Sequence, residues 1–473
     1  MNNRKRNIIA LLALTLCIAL LCGLLAACGM TNKAGESSTL PPSSSPAAVE
    51  GELSVRVYQP DTAQEPLWQA LAADYKSLTG VTIALEKPPE ATVPLEHLKE
   101  RLKAEKPPAV ILFTNPSEHA AWKENAADLA GTEAYKRLLD PLLALHADGK
   151  PVAVPLGVQA FGVVYNKPIL EAYFALPGKA TAFTKADDVT DFAKLEALVK
   201  DITKNKTELG IDGVFAAAAL KEGESAAVSH RLLSLPLSYE FRKANTELTG
   251  TAINEISFRY AEPYHAFVDL LLANATAAPN ALDARTQEAA AAEFTDGKAA
   301  MLLGGTELWG KLNTAAAQTL RAEDIGILPA FMQFTEGERT GLALEPQLYA
   351  AINAKGSNEE RLAAEAFLEW LVSSDRGLDF LGRQLNLLAP YSTLTEALLP
   401  SNPLSADAFR QLKAGDATVI HLVSATALSP GEEFREKTVG MGLASYAKGE
   451  SAWDDFKSSV STKWKEFREK LTF

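Results

Sequence analysis

From residue 53 onward, short apolar runs of strand length alternate with longer stretches whose apolar residues recur every three or four positions. Residues 53–58 alternate as a half-buried strand does, 67–78 repeat with helical spacing, and 81–85 return to strand character. An alternation of this kind predicts an α/β fold, because each strand needs a helix to cover its face. It runs on for about 420 residues, more than one hydrophobic core usually covers, so two lobes are expected. There is no tandem repeat.

Further strands are expected at 110–113, at 152–154 and 161–165 on either side of Pro155 and Gly157, at 214–217, at 325–328 and at 348–352. Helices are expected at 188–205, 260–272 and 358–372, with Ser117 capping another. Open α/β sheets bind ligands where strands end. Gln59 and Asp61 follow the first strand and Thr114 and Asn115 follow 110–113, so all four are candidate ligand contacts. Pro60-Asp61 and Asn115-Pro116 are also ordinary turn formers. Trp122 either closes that side of a cleft or packs a helix onto the sheet. Trp370, Trp453 and Trp464 lie at helical spacing beside phenylalanines and are assigned to packing.

The N-terminus has a different character. Arg4, Lys5 and Arg6 precede an apolar run over 8–25, then Ala26, Ala27 and Cys28. The run is long enough to span a bilayer, but small residues before Cys28 favour a cleaved leader. The pattern resembles the lipobox of bacterial lipoproteins. That resemblance implies a signal peptide over 1–27, acylation (palmitate included) of Cys28, and a membrane anchor on the outer face of the cell membrane, since several acyl chains hold far better than one. Residues 28–51 are Ser- and Pro-rich and read as a disordered tether.

Cys17, Cys22 and Cys28 are the only cysteines, so the body has no disulfide, no thiol nucleophile and no cysteine metal site. Without the leader, 46 basic residues fall to 43 against 59 acidic ones, a formal charge of −16. Such a surface opposes nucleic acid and anionic lipid headgroups. His97, His119, His146, His230, His265 and His421 show no metal-ligand spacing, and no cofactor is expected. His230-Arg231 reads as a solvated helix start, with contact to an acidic solute as the alternative. Neither a Gly-x-Ser-x-Gly elbow, a phosphate-cradling loop nor a dinucleotide fingerprint occurs, which favours binding over catalysis. A cell-surface glycoside hydrolase, whose paired carboxylates leave no such motif, and a solute sensor for a signalling kinase are the alternatives.

Three segments carry a wider resemblance: Gly149-Lys150-Pro151-Val152-Ala153-Val154-Pro155 with Phe161-Gly162-Val163-Val164-Tyr165-Asn166-Lys167, then Phe294 to Gly305, then Gly326-Ile327-Leu328-Pro329. The tail Tyr446-Ala447-Lys448-Gly449-Glu450-Ser451-Ala452-Trp453 adds to it. The chain resembles the extracellular solute-binding proteins of bacterial ABC importers, the family 1 sugar-type cluster. The resemblance implies a two-lobed periplasmic-binding-protein-like fold (type II). Lobe 1 would be 52–160 with about 329–372, and lobe 2 would be 161–328 with about 373–473. The interlobe crossings would lie near Gly157 and Gly162, near Pro329, and after Trp370, with Gly157, Gly162 and Pro329 as hinge candidates. It also implies a monomer that closes on a small hydrophilic solute, a carbohydrate, and delivers it to ABC permease subunits. Sugars need aromatic platforms and polar rims, which nominates Trp309, with an ordinary core tryptophan as the alternative; Tyr165, in the resembling Tyr-Asn-Lys segment and otherwise a packing residue, and Tyr349 and Gln347, on the returning strand, are further candidates.

Overall fold

The structure, a computed structural model, describes residues 53–244, 253–314, 320–335, 340–418 and 430–470. The leader, Cys28, the tether and His421 lie outside the described residues. Among the described residues there are ten strands: β1 (Ser54–Tyr58), β2 (Thr82–Glu86), β3 (Val110–Phe113), β4 (Leu145–Ala147), β5 (Lys150–Asn166), β6 (Gly213–Phe215), β7 (Ala299–Gly305), β8 (Ile325–Leu328), β9 (Leu342–Ile352) and β10 (Ala417–Thr418). The main path runs β2-β1-β3-β9-β5-β7-β6.

Two long antiparallel strands, β5 and β9, carry the sheet from one lobe to the other. The last residues of β9 pair with β3, Phe113 opposite Tyr349, whereas its first residues pair with β5 as far as Phe161 opposite Ala343. The last third of β5 then pairs with β7 on one side and β8 on the other. Lobe 1 is thus built on β1, β2 and β3, and lobe 2 on β6, β7 and β8.

Helices cover both lobes for reasons visible in their spacing. Phe192–Leu209 is capped by the Asp191 side chain, which accepts from the Lys194 N–H, and buries Leu195, Leu198, Val199 and Ile202 completely. Those positions form one stripe along a 3.6-residue helix. Each such side chain contributes about 1.5–3 kcal/mol by leaving water. In lobe 1, Glu65–Thr79 buries Trp68, Leu71 and Tyr75, and Tyr75 meets Phe367 and Trp370 of Asn358–Ser373 edge-on. Trp453 and Trp464 are buried in the helix Trp453–Lys470, packed on lobe 2. No described helix is long and apolar enough to cross a membrane.

Several expectations need revision. Residues 152–154 and 161–165 belong to one 17-residue strand that runs straight through Pro155 and Gly157. Pro155 is tolerated because a strand residue's N–H and C=O leave on the same side. Its carbonyl accepts from the Tyr391 hydroxyl at 2.8 Å, so the missing donor costs no ladder bond to β9. Strand β9 begins at Leu342, not 348, and it makes the second crossing that was expected near 328–331; Pro329 is buried just past β8. Residues after Ser117 form short 3₁₀ turns, starting with Glu118 N–H to Asn115 O, because no second apolar turn follows to extend a helix. Phe380 and Tyr391, grouped with lobe 2 on sequence, pack in the same core as Val55, Val57 and Trp68, with Phe380 edge-on to Trp68.

Candidate functional site

Strand direction sets the site. In lobe 1, β1 and β3 are parallel neighbours, so the loops after Tyr58 and Phe113 emerge at one edge. In lobe 2, β6 and β7 are also parallel, and the carboxyl end of β7, Gly305, pairs with Phe161 beside the crossing. The carboxyl ends of parallel strands in both lobes therefore converge on the middle of β5 and β9, where α/β sheets hold ligands.

A cavity of about 320 Å³ opens there on the lobe 2 side. Its apolar wall is Ala216–Ala219, which follow β6, together with Leu302 and Leu303. Its polar groups come from three directions. Gln159 and Glu345 face each other across β5 and β9, with Gln347 opposite Gly157. Glu307 follows the end of β7, and Arg231 sits on a π-helical turn, Ala227–Leu232.

Four of these side chains, Gln159, Arg231, Glu307 and Glu345, form one network. Arg231 pairs with Glu307, donates from Nη2 to Gln159 Oε1 at 3.1 Å, and lies 3.9 Å from Glu345. Glu307 Oε1 also accepts from the Gly305 N–H at 3.2 Å. Burial holds Glu345 above the usual carboxylate range, Arg231 pulling it down and Glu307 pushing it up. Burial works against the charge of Arg231, yet Glu307 and Glu345 together raise its pKa above the ordinary value. Leu348, beside Gln347, has φ of +40°, a left-handed conformation that a branched residue holds only under about 1–3 kcal/mol of strain.

Of the nine residues nominated from sequence, Gln347 lines this cavity. Gln59 is buried just after β1. Asp61 is exposed and its carboxylate accepts from the Ala63 N–H, capping a turn. Thr114 is exposed and Asn115 half-buried on the same lobe 1 edge. Trp122 is 1% exposed, packed edge-on against Phe113 and His119. Tyr349 stacks on Phe113 with ring centres 5.4 Å apart. Tyr165 is buried over Gly326. Trp309 packs against the core, while its neighbours Glu307 and Leu308 line the cavity. No tryptophan, tyrosine or phenylalanine lines the cavity among the described residues.

The glycines named as hinges are close-packing positions inside β5. A Cβ on Gly162 would stand 2.1 Å from the Leu328 carbonyl oxygen, and one on Gly157 would stand 2.6 Å from Leu387 Cβ. His230-Arg231, read as a solvated helix start, instead lines the cavity: His230 is buried, and Arg231 is half-buried with Glu307 and Glu345 supplying the counter-charge that makes this tolerable. Gln159, Arg231, Glu307 and Glu345 were not singled out as a site. The available signal was a glutamate within the apolar run Leu342-Ala343-Leu344-Glu345; a charge on a buried strand needs a partner.

A family model described as bacterial extracellular solute-binding protein matches residues 70–410. No curated protein matches the chain in sequence. Among solved structures, the chain is similar to a family 1 extracellular solute-binding protein from Bifidobacterium longum subsp. infantis, at 16% identity and a TM-score of 0.61 over 88% of this chain and 99% of that one. It is similar to the apo form of RafE from Streptococcus pneumoniae, at 15% identity and 0.60 over 88% and 98%. It is similar also to a cyclic alpha-maltosyl-1,6-maltose binding protein from Arthrobacter globiformis, at 18% identity and 0.58 over 89% and 100%. At these identities the likeness is one of fold.

Proposed function

The chain belongs to the bacterial extracellular solute-binding proteins, and on that premise we propose that it is a lipid-anchored receptor of an ABC importer, capturing a carbohydrate by closure of its two lobes. The observation that carries the reading is the convergence of both lobes' strand ends on β5 and β9, beside a cavity of about 320 Å³ walled by alanines and leucines and edged with amides and carboxylates. That volume suits a small ligand, and two crossing strands between lobes suit hinge closure around it. The carbohydrate class is drawn from the cavity's hydrogen-bonding rim and from the Arthrobacter neighbour, which is named for a cyclic maltosyl-maltose. The lobe 1 contacts are Gln59, Asp61, Thr114 and Asn115. Cys28 supplies the anchor and the permease subunits receive the closed form.

A thermal-shift screen across sugars, peptides and polyamines tests this. A sugar at a hundredfold its dissociation constant adds about 2.7 kcal/mol of stability, and small-angle scattering should show a smaller radius of gyration. Recovery of a hydrolysed sugar, or an unchanged scattering profile at saturation, would overturn the reading.

A further inference from the structure

Among the described residues, the titratable side chains lining the cavity are Arg231, Glu307, Glu345 and His230. Arg231 and Glu307 are committed to each other. Arg231 also donates to Gln159 Oε1, Glu307 Oε1 accepts from the Gly305 N–H, and Glu307 Oε2 is sealed away from solvent. Glu345 is placed differently. Its side chain is only 9% exposed, and its nearest cation, Arg231, stands 3.9 Å away, beyond hydrogen-bond length. No described donor bonds it, yet neither of its oxygens is sealed as Glu307 Oε2 is. Residues two apart on a strand share a face, so Glu345 and Gln347 project to one side of β9, with Gln159 opposite Glu345 on β5. The carboxylate thus opens into the cavity beside two amides.

We propose that Glu345 is the seat for an ammonium group of the solute, so that the cavity takes a small primary amine, an amino sugar on the carbohydrate reading, ahead of the matching alcohol. This rests on that reading and narrows it. With His230 neutral, two glutamates face one arginine, and the charge left over sits on the carboxylate that no protein donor bonds. A buried acceptor is costly while unpaired. An ammonium brings three donors and the missing positive charge, in a bond about twice as strong as one between neutral groups. A hydroxyl brings one donor and leaves the charge uncompensated. Burial, with Glu307 adding to it, holds the Glu345 pKa above its ordinary value despite Arg231, as expected of a carboxylate short of positive charge.

The test is calorimetry on the purified protein with glucose and galactose beside their 6-amino-6-deoxy forms. It is run at about pH 7.5, where an ordinary imidazole is mostly neutral and an alkyl ammonium keeps its proton; a His230 protonated at that pH would cancel the excess charge and show as a ratio near one. The amino sugar should bind at least tenfold more tightly than its parent. Glu345→Gln, which keeps the shape and removes the charge, should reduce that ratio at least threefold. A wild-type ratio below tenfold overturns the proposal and, where the parent sugar binds, leaves the carbohydrate reading standing. A folded Glu345→Gln that reduces the ratio by less than threefold also overturns it. If that variant does not fold, the wild-type ratio alone decides. If no sugar binds, putrescine is compared with the corresponding diol: putrescine at least tenfold tighter keeps the ammonium seat and removes the carbohydrate reading, and any other result removes both.

Discussion

Arg231 is the residue whose loss should do most damage for its size. Replacing it with methionine keeps most of the volume but strands Glu307 and Glu345 without their cation. In the native protein the side chains of these three are 19%, 31% and 9% exposed, so water screens the stranded charges only in part. Breaking a buried pair by removing one member costs about 3–5 kcal/mol. For a body of this size, with an unfolding entropy near 2.1 cal/mol/K per residue, that is a fall in Tm of roughly 3–6 °C. The loss should depend on pH. Because burial raises Glu345 above its unfolded value, the native state binds more protons between the two values, and stability falls as pH rises through that window. Without Arg231 the window extends upward, so the deficit relative to wild type is largest at about pH 8 and shrinks toward pH 5. Urea unfolding of both proteins at the two pH values measures it. The triple variant Arg231→Met, Glu307→Gln, Glu345→Gln should regain most of the loss, since exchanging a whole buried cluster for neutral groups is often harmless. A deficit below about 1 kcal/mol, or one equal at both pH values, would refute this account of the cluster.

Gly162→Ala should cost about 1–3 kcal/mol, because β5 and β8 must part to admit the methyl; a change in urea midpoint too small to measure would contradict the close approach. Leu198→Ala, in the fully buried stripe of its helix, should cost about 2–5 kcal/mol by the same measurement. Trp309→Ala should lower stability but leave solute affinity within twofold, since Trp309 packs on the core outside the cavity; a tenfold loss in calorimetry would return Trp309 to the site. Cys28→Ser should abolish incorporation of labelled palmitate and release the protein from membranes, and retention after washing would argue for another anchor.

The α/β character and most elements were readable because the signal is local. The stripe at Leu195, Leu198, Val199 and Ile202, or the all-apolar Val110–Phe113, is set by a residue and its neighbours within one turn or one strand. Where the reading failed, the deciding partner was distant. Pro155 looks like a strand break until Tyr391, far along the chain, is seen taking its carbonyl. Of the two readings of Trp122, packing or closing the cleft, sequence spacing could not choose; its ring and that of Tyr349 both lie against Phe113.

By itself, then, the sequence determined that this chain alternates strand and helix, carries too much apolar pattern for one core, and lacks the motifs of several enzyme classes, because each of these properties is local or compositional. Tertiary structure alone decided that Gln159, Arg231, Glu307 and Glu345, spread over nearly two hundred positions, share one cavity. A buried charge is tolerable only beside its opposite, and which residues become neighbours is fixed by the register of β5 against β9 and β7, not by spacing along the chain.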